Sequence, residues 1–253
     1  MKVLITGASS GIGRDIAREF AKKNCNLILV ARREDKLMEL KNNLENEYGV
    51  KAQYYLADLS NKDKCVEVFE RFKDIDILIN NAGLGDFGFF SETKLDKDLN
   101  IINTNIMGLH ILTKLYLKNM KEKNAGKILN VASIAGFMPG PLMATYYASK
   151  NYVVKLSEAI KEELKKEKSK VQISILCPGP VKTNFNNIAN VNFEISSLSS
   201  EYVARYTVKR FLKGKFYIVP GFHIRLIKLF SKIVPTSLLA SIVYNSQKRK
   251  DRK

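Results

Sequence analysis

The stretch ATYYASK, residues 144–150, sets two adjacent phenols ahead of one primary amine. A phenol with a pKa near 10 stays protonated at neutral pH, so it becomes a useful acid or base only beside a charge that favours its anion. Lys150 can supply that charge. Tyr146 precedes it by four residues and Tyr147 by three, and neighbouring residues of a helix are rotated by about 100°, so the two phenols cannot be equivalent. Near the other end, TGASSGIG places Gly7, Gly11 and Gly13 after a short apolar run and before an amphipathic stretch. Glycines at such a turn let the backbone approach a pyrophosphate, whose charge the free N–H groups and dipole of the next helix attract. No Cys/His/Asp/Glu grouping has metal-ligand spacing, and no metal is expected.

These residues need a scaffold, and the periodicity supplies one. Short apolar runs (KVLIT, NLILVA, KAQYYLA, DILIN, GKILNVA, VQISIL and KFYIVPG) alternate with helical patterns at 11–24, 33–48, 61–73, 95–123, 147–168 and 200–213. Strands apolar on both faces and separated by helical crossovers predict an α/β fold: a doubly wound, Rossmann-type, seven-stranded parallel sheet with helices on both faces. The chain of 253 residues reads as a single domain over 1–220 with a C-terminal extension over 221–253. Residues 184–200 are polar and weakly periodic, the pattern of a mobile lid. The three cysteines, Cys25, Cys65 and Cys177, are odd in number and far apart, which fits core positions in a reducing compartment. MKVLITGASSGIG lacks the features of a signal peptide, and no apolar run is long enough to span a bilayer, so the expected location is cytoplasmic.

The second strand ends at Ala31, and Arg32 and Arg33 follow where an NAD site would place an acid for the ribose hydroxyls. Guanidinium suits a 2′-phosphate through planar, charge-assisted hydrogen bonds, which makes NADP(H) the expected cofactor. Asp58, after the third strand, could accept from the adenine amino group or cap the following helix.

Taken together, TGASSGIG, NNAG at 80–83, the Asn of NTNIMG, the Ser of NVASIAG and YYASK resemble the short-chain dehydrogenase/reductase family over roughly residues 1–220. The resemblance implies a catalytic quartet of Asn105, Ser133, Tyr146 and Lys150. The four-residue spacing then selects Tyr146 over Tyr147 as acid/base; the resemblance implies that Ser133 donates to the substrate oxygen, Lys150 holds the nicotinamide ribose and Asn105 positions a water. A second reading of Asn105, as support for a helix kink beside Gly108, is compatible with the first. The cofactor set implied is Gly7, Ser9, Ser10, Gly11, Ile12, Gly13, Arg32, Arg33, Asp58, Leu59, Asn81, Ala82, Gly83, Tyr146, Lys150, Pro178, Gly179, Val181 and Thr183. Tyr147 reads as packing or pocket wall, and His110 as facing a partner or solvent.

The expected activity is NADPH-dependent interconversion of a ketone and a secondary alcohol, on a substrate made hydrophobic by the apolar stretch Phe137 to Met143. The rivals are a 3-oxoacyl thioester (acyl carrier protein) reductase and a non-catalytic NADP-binding sensor. The net charge of +17 is concentrated in the C-terminal fifth, where thirteen Lys/Arg from Arg205 onward face the single acid Asp251. In the extension, Arg225, Lys228 and Lys232 share one side of a helix expected over 222–234, and Leu226, Leu229, Phe230 and Ile233 take much of the rest. Such a tail can roof the pocket, pack in a homodimer or homotetramer, or make peripheral contact with an anionic membrane; no nucleic-acid partner is expected.

Overall fold

The computed structural model describes residues 1–183, 185, 197–231 and 233–248. The strands β1 (Lys2–Thr6), β2 (Asn26–Ala31), β3 (Ala52–Leu56), β4 (Ile77–Asn80), β5 (Lys127–Val131), β6 (Gln172–Leu176) and β9 (Tyr217–Ile218) form one sheet in the order β3-β2-β1-β4-β5-β6-β9. Every pair in it is parallel. Alternation along each strand divides the core between the two faces. Val3, Ile5, Leu27, Leu29, Ile77 and Ile79 belong to one hydrophobic cluster, whereas Leu4, Ile28, Val30 and Leu78 belong to the other. Period-two side chains buried on both sides leave the strands no polar face, which is why they read as unbroken apolar runs.

Helices α1 (Gly11–Ala21), α2 (Glu34–Tyr48), α3 (Lys62–Arg71), α4 (Leu95–Ile102), α5 (Leu109–Glu122), α6 (Ala144–Lys166) and α7 (Ser200–Leu212) cover the sheet. On one side α1 and α7 meet through the edge-on rings of Phe20 and Phe211, 6.4 Å apart. On the other, Tyr116 of α5 is fully buried and donates to the Phe72 carbonyl at 3.0 Å. The connection reverses direction between β1 and β4, and the crevice beyond the carboxyl ends of these strands is where a ligand site arises in such sheets.

Three local features depart from the expectation. The helix expected over 95–123 is interrupted by a π-helical segment, Asn103–Gly108, a distortion frequently found at functional sites. Its last residue crosses the loop after β3 so closely that a Cβ on Gly108 would lie 2.4 Å from the Leu59 carbonyl oxygen. The helix expected from 147 starts at Ala144, so both tyrosines lie in its first turn. A separate parallel pair, β7 (Val181–Lys182) with β8 (Leu198–Ser199), has no counterpart in the periodicity. Most of the lid expected at 184–200 lies outside the described residues.

The extension forms α8 (Phe222–Phe230) and α9 (Thr236–Lys248), with Pro235 between them. The first helix stops at Phe230, short of the expected 234. It is also turned so that cations face the protein: Arg225 Nε donates to the Val219 carbonyl at 3.1 Å, and Lys228 Nζ lies 2.9 Å from the centre of the Tyr217 ring. Phe222, Phe230 and Ile233 point outward and are 67%, 61% and 74% exposed. No described helix is long and apolar enough to cross a membrane.

Candidate active site

The four residues of the implied quartet converge beyond the end of β5. Ser133 follows that strand and caps the short 3-10 turn Ile134–Phe137, its Oγ accepting from Ala135 N at 3.2 Å. The side chain of Ser133 also acts on the phenol of Tyr146, favouring its anion. Lys150, 5% exposed, donates from Nζ to the Val131 carbonyl at 3.0 Å and lies 5.8 Å from the Tyr146 ring centre. Asn105, in the π segment, accepts from Leu84 N at 2.8 Å and donates from Nδ2 to the Leu84 carbonyl and to Ser149 Oγ, both at 2.9 Å. A Cβ on Gly83 would lie 3.2 Å from Lys150 Nζ and 3.3 Å from Asn105 Oδ1, so the glycine leaves both groups their room. Asn105 therefore ties the loop after β4 to α6 and is not spent on the kink beside Gly108.

Burial works in opposite directions on the two titrating groups. It pushes the Tyr146 phenol up, with the Ser133 hydrogen bond opposing, and it brings Lys150 down to about 8. The charged form of each group is the one that a low-dielectric site disfavours. Burial is the largest influence on the Tyr146 phenol and raises it, against the expected pull of Lys150 towards neutrality. The neighbouring Cys177 is buried, and burial raises its thiol to about 12, so it stays neutral.

The cofactor end is built around Gly7 and Gly11, which take φ of +63° and +54° in the turn from β1 into α1. Gly13 has no room for a side chain, since a Cβ would sit 2.4 Å from Asn81 Nδ2. That amide donates to the Thr6 and Gly7 carbonyls at 3.0 and 3.1 Å, while Asn81 N and Ala82 N both donate to Thr6 Oγ1. Thr6, absent from the expected set, is the clasp between the β1 and β4 loops; only its position at a strand end hinted at this. Helix α1 begins without a side-chain cap and with no acid in its first turn, leaving its N–H groups for an anion. Ser10 precedes this helix, but its hydroxyl is engaged by Arg33, whose Nη2 donates to Ser9 Oγ and Ser10 Oγ, both at 2.9 Å. Arg32 instead pairs with Asp58 at 3.6 Å on the surface. Asp58 does not cap α3, a task taken by Asn61; it accepts from the N–H and hydroxyl of Ser60.

Thr183 reaches the same place, its Cγ2 2.9 Å from where a Cβ on Gly11 would be. Ile12 packs partly buried against the core, and Val181 is buried in β7. Pro178 accepts from Ile134 N at 2.9 Å, linking the end of β6 to the Ser133 turn. Gly179 is roofed by Ile224 of α8, which a Cβ would approach to 2.3 Å. Leu59 has its side chain buried, so what it can offer a nucleotide is backbone. His110 faces neither solvent nor partner alone, since its ring bonds the Tyr152 hydroxyl at 2.7 Å. No group of three or more His, Cys, Asp or Glu among the described residues could hold a metal.

Residues 1–192 match the short chain dehydrogenase family. The chain belongs to it. This short-chain dehydrogenase is 32% identical over 250 residues to an 11-beta-hydroxysteroid dehydrogenase-like 4A of Arabidopsis thaliana, covering 94% of the chain and 82% of that protein. It is also 32% identical over 201 residues to a very-long-chain 3-oxoacyl-CoA reductase of Anas platyrhynchos, covering 76% of the chain but only 63% of the relative's length. Among solved structures, a short-chain dehydrogenase from Sphingobium yanoikuyae in complex with NADPH superposes with a TM-score of 0.84 at 28% identity, covering 92% of this chain and 93% of that one. A family member from Burkholderia phymatum in complex with NAD gives 0.81 at 28% identity, with 90% and 92% covered. The short-chain dehydrogenase is accordingly an oxidoreductase of that family.

Around Tyr146 the dehydrogenase builds an apolar wall. Met143 packs with Phe87, Tyr147 and Phe185, and the Phe185 ring lies 5.5 Å from that of Tyr146. The second tyrosine is fixed by a residue 100 positions further along the chain. Gln247 of α9 donates to the Tyr147 hydroxyl at 2.7 Å, and Leu239 and Val243 of the same helix cluster with Met138 and Tyr147. The extension thereby holds one wall of the site. Removing this contact by Tyr147→Phe or by Gln247→Leu loses the same hydrogen bond. The two changes together should therefore destabilise the fold by less than their sum, with a coupling of about 0.5–1.5 kcal/mol in thermal or denaturant unfolding. Strict additivity would show that the pair does not interact.

Proposed function

We propose that this chain is an NADPH-dependent oxidoreductase interconverting a ketone and a secondary alcohol on a hydrophobic substrate. The observation that carries the reading is the convergence of Ser133, Tyr146 and Lys150 under an apolar wall, beside a cradle fit for a dinucleotide. The fit rests on the positive φ of Gly7 and Gly11, the uncapped start of α1 and the guanidinium of Arg33 held over Ser9 and Ser10. When bound, the nicotinamide supplies or accepts the hydride at the carbonyl carbon. Tyr146, kept protonated by its burial, donates the proton to the carbonyl oxygen in reduction, and Ser133 donates a hydrogen bond to the same oxygen. Lys150 stabilises the phenolate left behind and holds the nicotinamide ribose, while Asn105 fixes the loop after β4. The apolar neighbours of Tyr146 exclude water from the reacting atoms.

For the cofactor, the side chain of Arg33 at the glycine turn supports a 2′-phosphate and hence NADPH over NADH. Cytoplasmic placement, assembly as a homodimer or homotetramer, and contact of the tail with a membrane surface complete the reading. A second substrate class, a 3-oxoacyl thioester, is favoured by the name of the Anas platyrhynchos relative. Activity on aliphatic, aromatic and steroid ketones against acyl thioesters separates the two, and absence of turnover on all of them would favour a sensor.

Tyr146→Phe should lower turnover by roughly 10²–10⁴-fold while leaving NADPH binding nearly intact, because the phenol acts in the proton transfer. Tyr147→Phe should be mild; the reverse order would refute the assignment. Arg33→Ala should weaken NADPH by about 1.5–3 kcal/mol in a titration and leave NADH little changed, with Arg32→Ala the weaker of the two. Equal losses for both nucleotides would refute a 2′-phosphate site at Arg33.

A further inference from the structure

Asn151 follows Lys150 directly in α6, and its side chain is partly buried. A helix turns by about 100° per residue, so Tyr146 and Lys150 form one strip of α6, and Tyr147 and Asn151 form the strip beside it. From that second strip the Asn151 amide reaches the turn capped by Ser133. Its Nδ2 donates to the Ala135 carbonyl at 3.1 Å and the Met138 carbonyl at 3.2 Å, and back to the Tyr147 carbonyl at 2.9 Å. All three partners are carbonyl oxygens, which can only accept, so they dictate that the NH2 end of the amide faces them.

Ala135 is the link to Ser133. Its carbonyl accepts from Asn151, and its N–H donates to Ser133 Oγ at 3.2 Å. Gly136 brings the turn down onto the helix, since a Cβ there would lie 2.7 Å from the Lys150 carbonyl oxygen, and Gly136 N donates to the Ser133 carbonyl at 3.0 Å. Tyr146 and Lys150 share one helix, so their spacing is built into α6. Ser133 belongs to the segment after β5, and its distance from the phenol depends on how that segment sits on α6. We propose that Asn151 is a positioning residue: by holding the 3-10 turn on α6, its amide fixes the Ser133 hydroxyl against the Tyr146 phenol. The proposal rests on the reading that Ser133 and Tyr146 act on the same substrate oxygen. Loss of the amide frees the turn while leaving Tyr146, Lys150 and the glycine turn at the start of α1 on their own supports, so the damage falls on the chemical step and spares cofactor binding.

The test is a cycle of full-length variants: Asn151→Ala, Asn151→Leu, Ser133→Ala, and Ser133→Ala combined with Asn151→Ala. In ketone reduction, Asn151→Ala should lower kcat by roughly 10–100-fold and change NADPH affinity by less than about twofold, the pattern of a displaced group and not of a lost binding contact. Asn151→Leu keeps the volume without the donors and should lose as much. With Ser133 already replaced by Ala, removing Asn151 should cost less than about threefold more, because no hydroxyl is left to place. A second readout needs no cofactor or turnover: the ring signal of Tyr146 in tyrosine-labelled protein, identified by its absence in Tyr146→Phe, should move in the same direction in Asn151→Ala as in Ser133→Ala. Full turnover in Ser133→Ala would overturn the reading of the site, and this proposal with it. Loss in Ser133→Ala with normal kcat in either Asn151 variant would overturn this proposal alone. So would losses that multiply in the double variant, or a Tyr146 signal that shifts in Ser133→Ala and stays in place in Asn151→Ala.

Discussion

Lys150 sits where a positive charge is costly to keep, 5% exposed and inside the fold, and the layout of the catalytic end follows from keeping it there. Its ammonium is anchored on a carbonyl at the end of β5, so the strand that carries Ser133 onward also fixes the lysine. Burial that lowers Lys150 to about 8 is the same burial that raises the Tyr146 phenol. One apolar environment therefore sets both groups: a lysine that can still be charged near neutrality and a phenol that retains its proton until a reaction demands it. A more open site would leave the lysine charged over a wider range, but would weaken every electrostatic interaction made at the reacting atoms.

Two clasps hold the parts around this centre. Asn105 bonds both backbone groups of Leu84 and reaches Ser149 on α6, joining the β4 loop, the π segment and that helix. Thr6 and Asn81 do the same at the cofactor end, where the β1 and β4 loops meet across the point at which the strand order reverses. Each clasp satisfies backbone groups that a loop at the strand ends would otherwise leave to water. The glycines matter because they permit these approaches: Gly83 leaves space for Lys150 beside Asn105, and Gly13 leaves space for Asn81.

Much of this was legible in the sequence because it is local. The strands announce themselves through burial on both faces, and the four-residue step from Tyr146 to Lys150 places them on one side of a single helix. What was not legible depends on contacts between distant segments. The apolar pattern runs unbroken through 95–123, and only the approach of Gly108 to Leu59 reveals where the helix gives way to a π turn. Spacing nominated Arg32 and Arg33 together, whereas the start of α2 at Glu34 sends Arg33 back to the serines and Arg32 to Asp58. Gln247 meets Tyr147 across 100 residues, with no motif to flag it. The periodicity of the extension separated cations from apolar residues but could not say which side faces inward; aromatic rings on the body captured Arg225 and Lys228.

The extension thus does two things with one fold. Helix α9 braces the wall of the site through Gln247, and α8 covers Gly179 while offering its apolar side outward. Neither alters the central claim, that a buried lysine charge supports proton transfer by Tyr146. The most direct measurement is the pH dependence of kcat/KM for NADPH in ketone reduction, which reports groups of the free enzyme. Lys150 carries its charge below a pKa of about 8, and Tyr146 remains protonated there, so the account predicts a plateau near neutrality that falls as pH rises through about 8. A rate that stays flat, or climbs, across that range would contradict it.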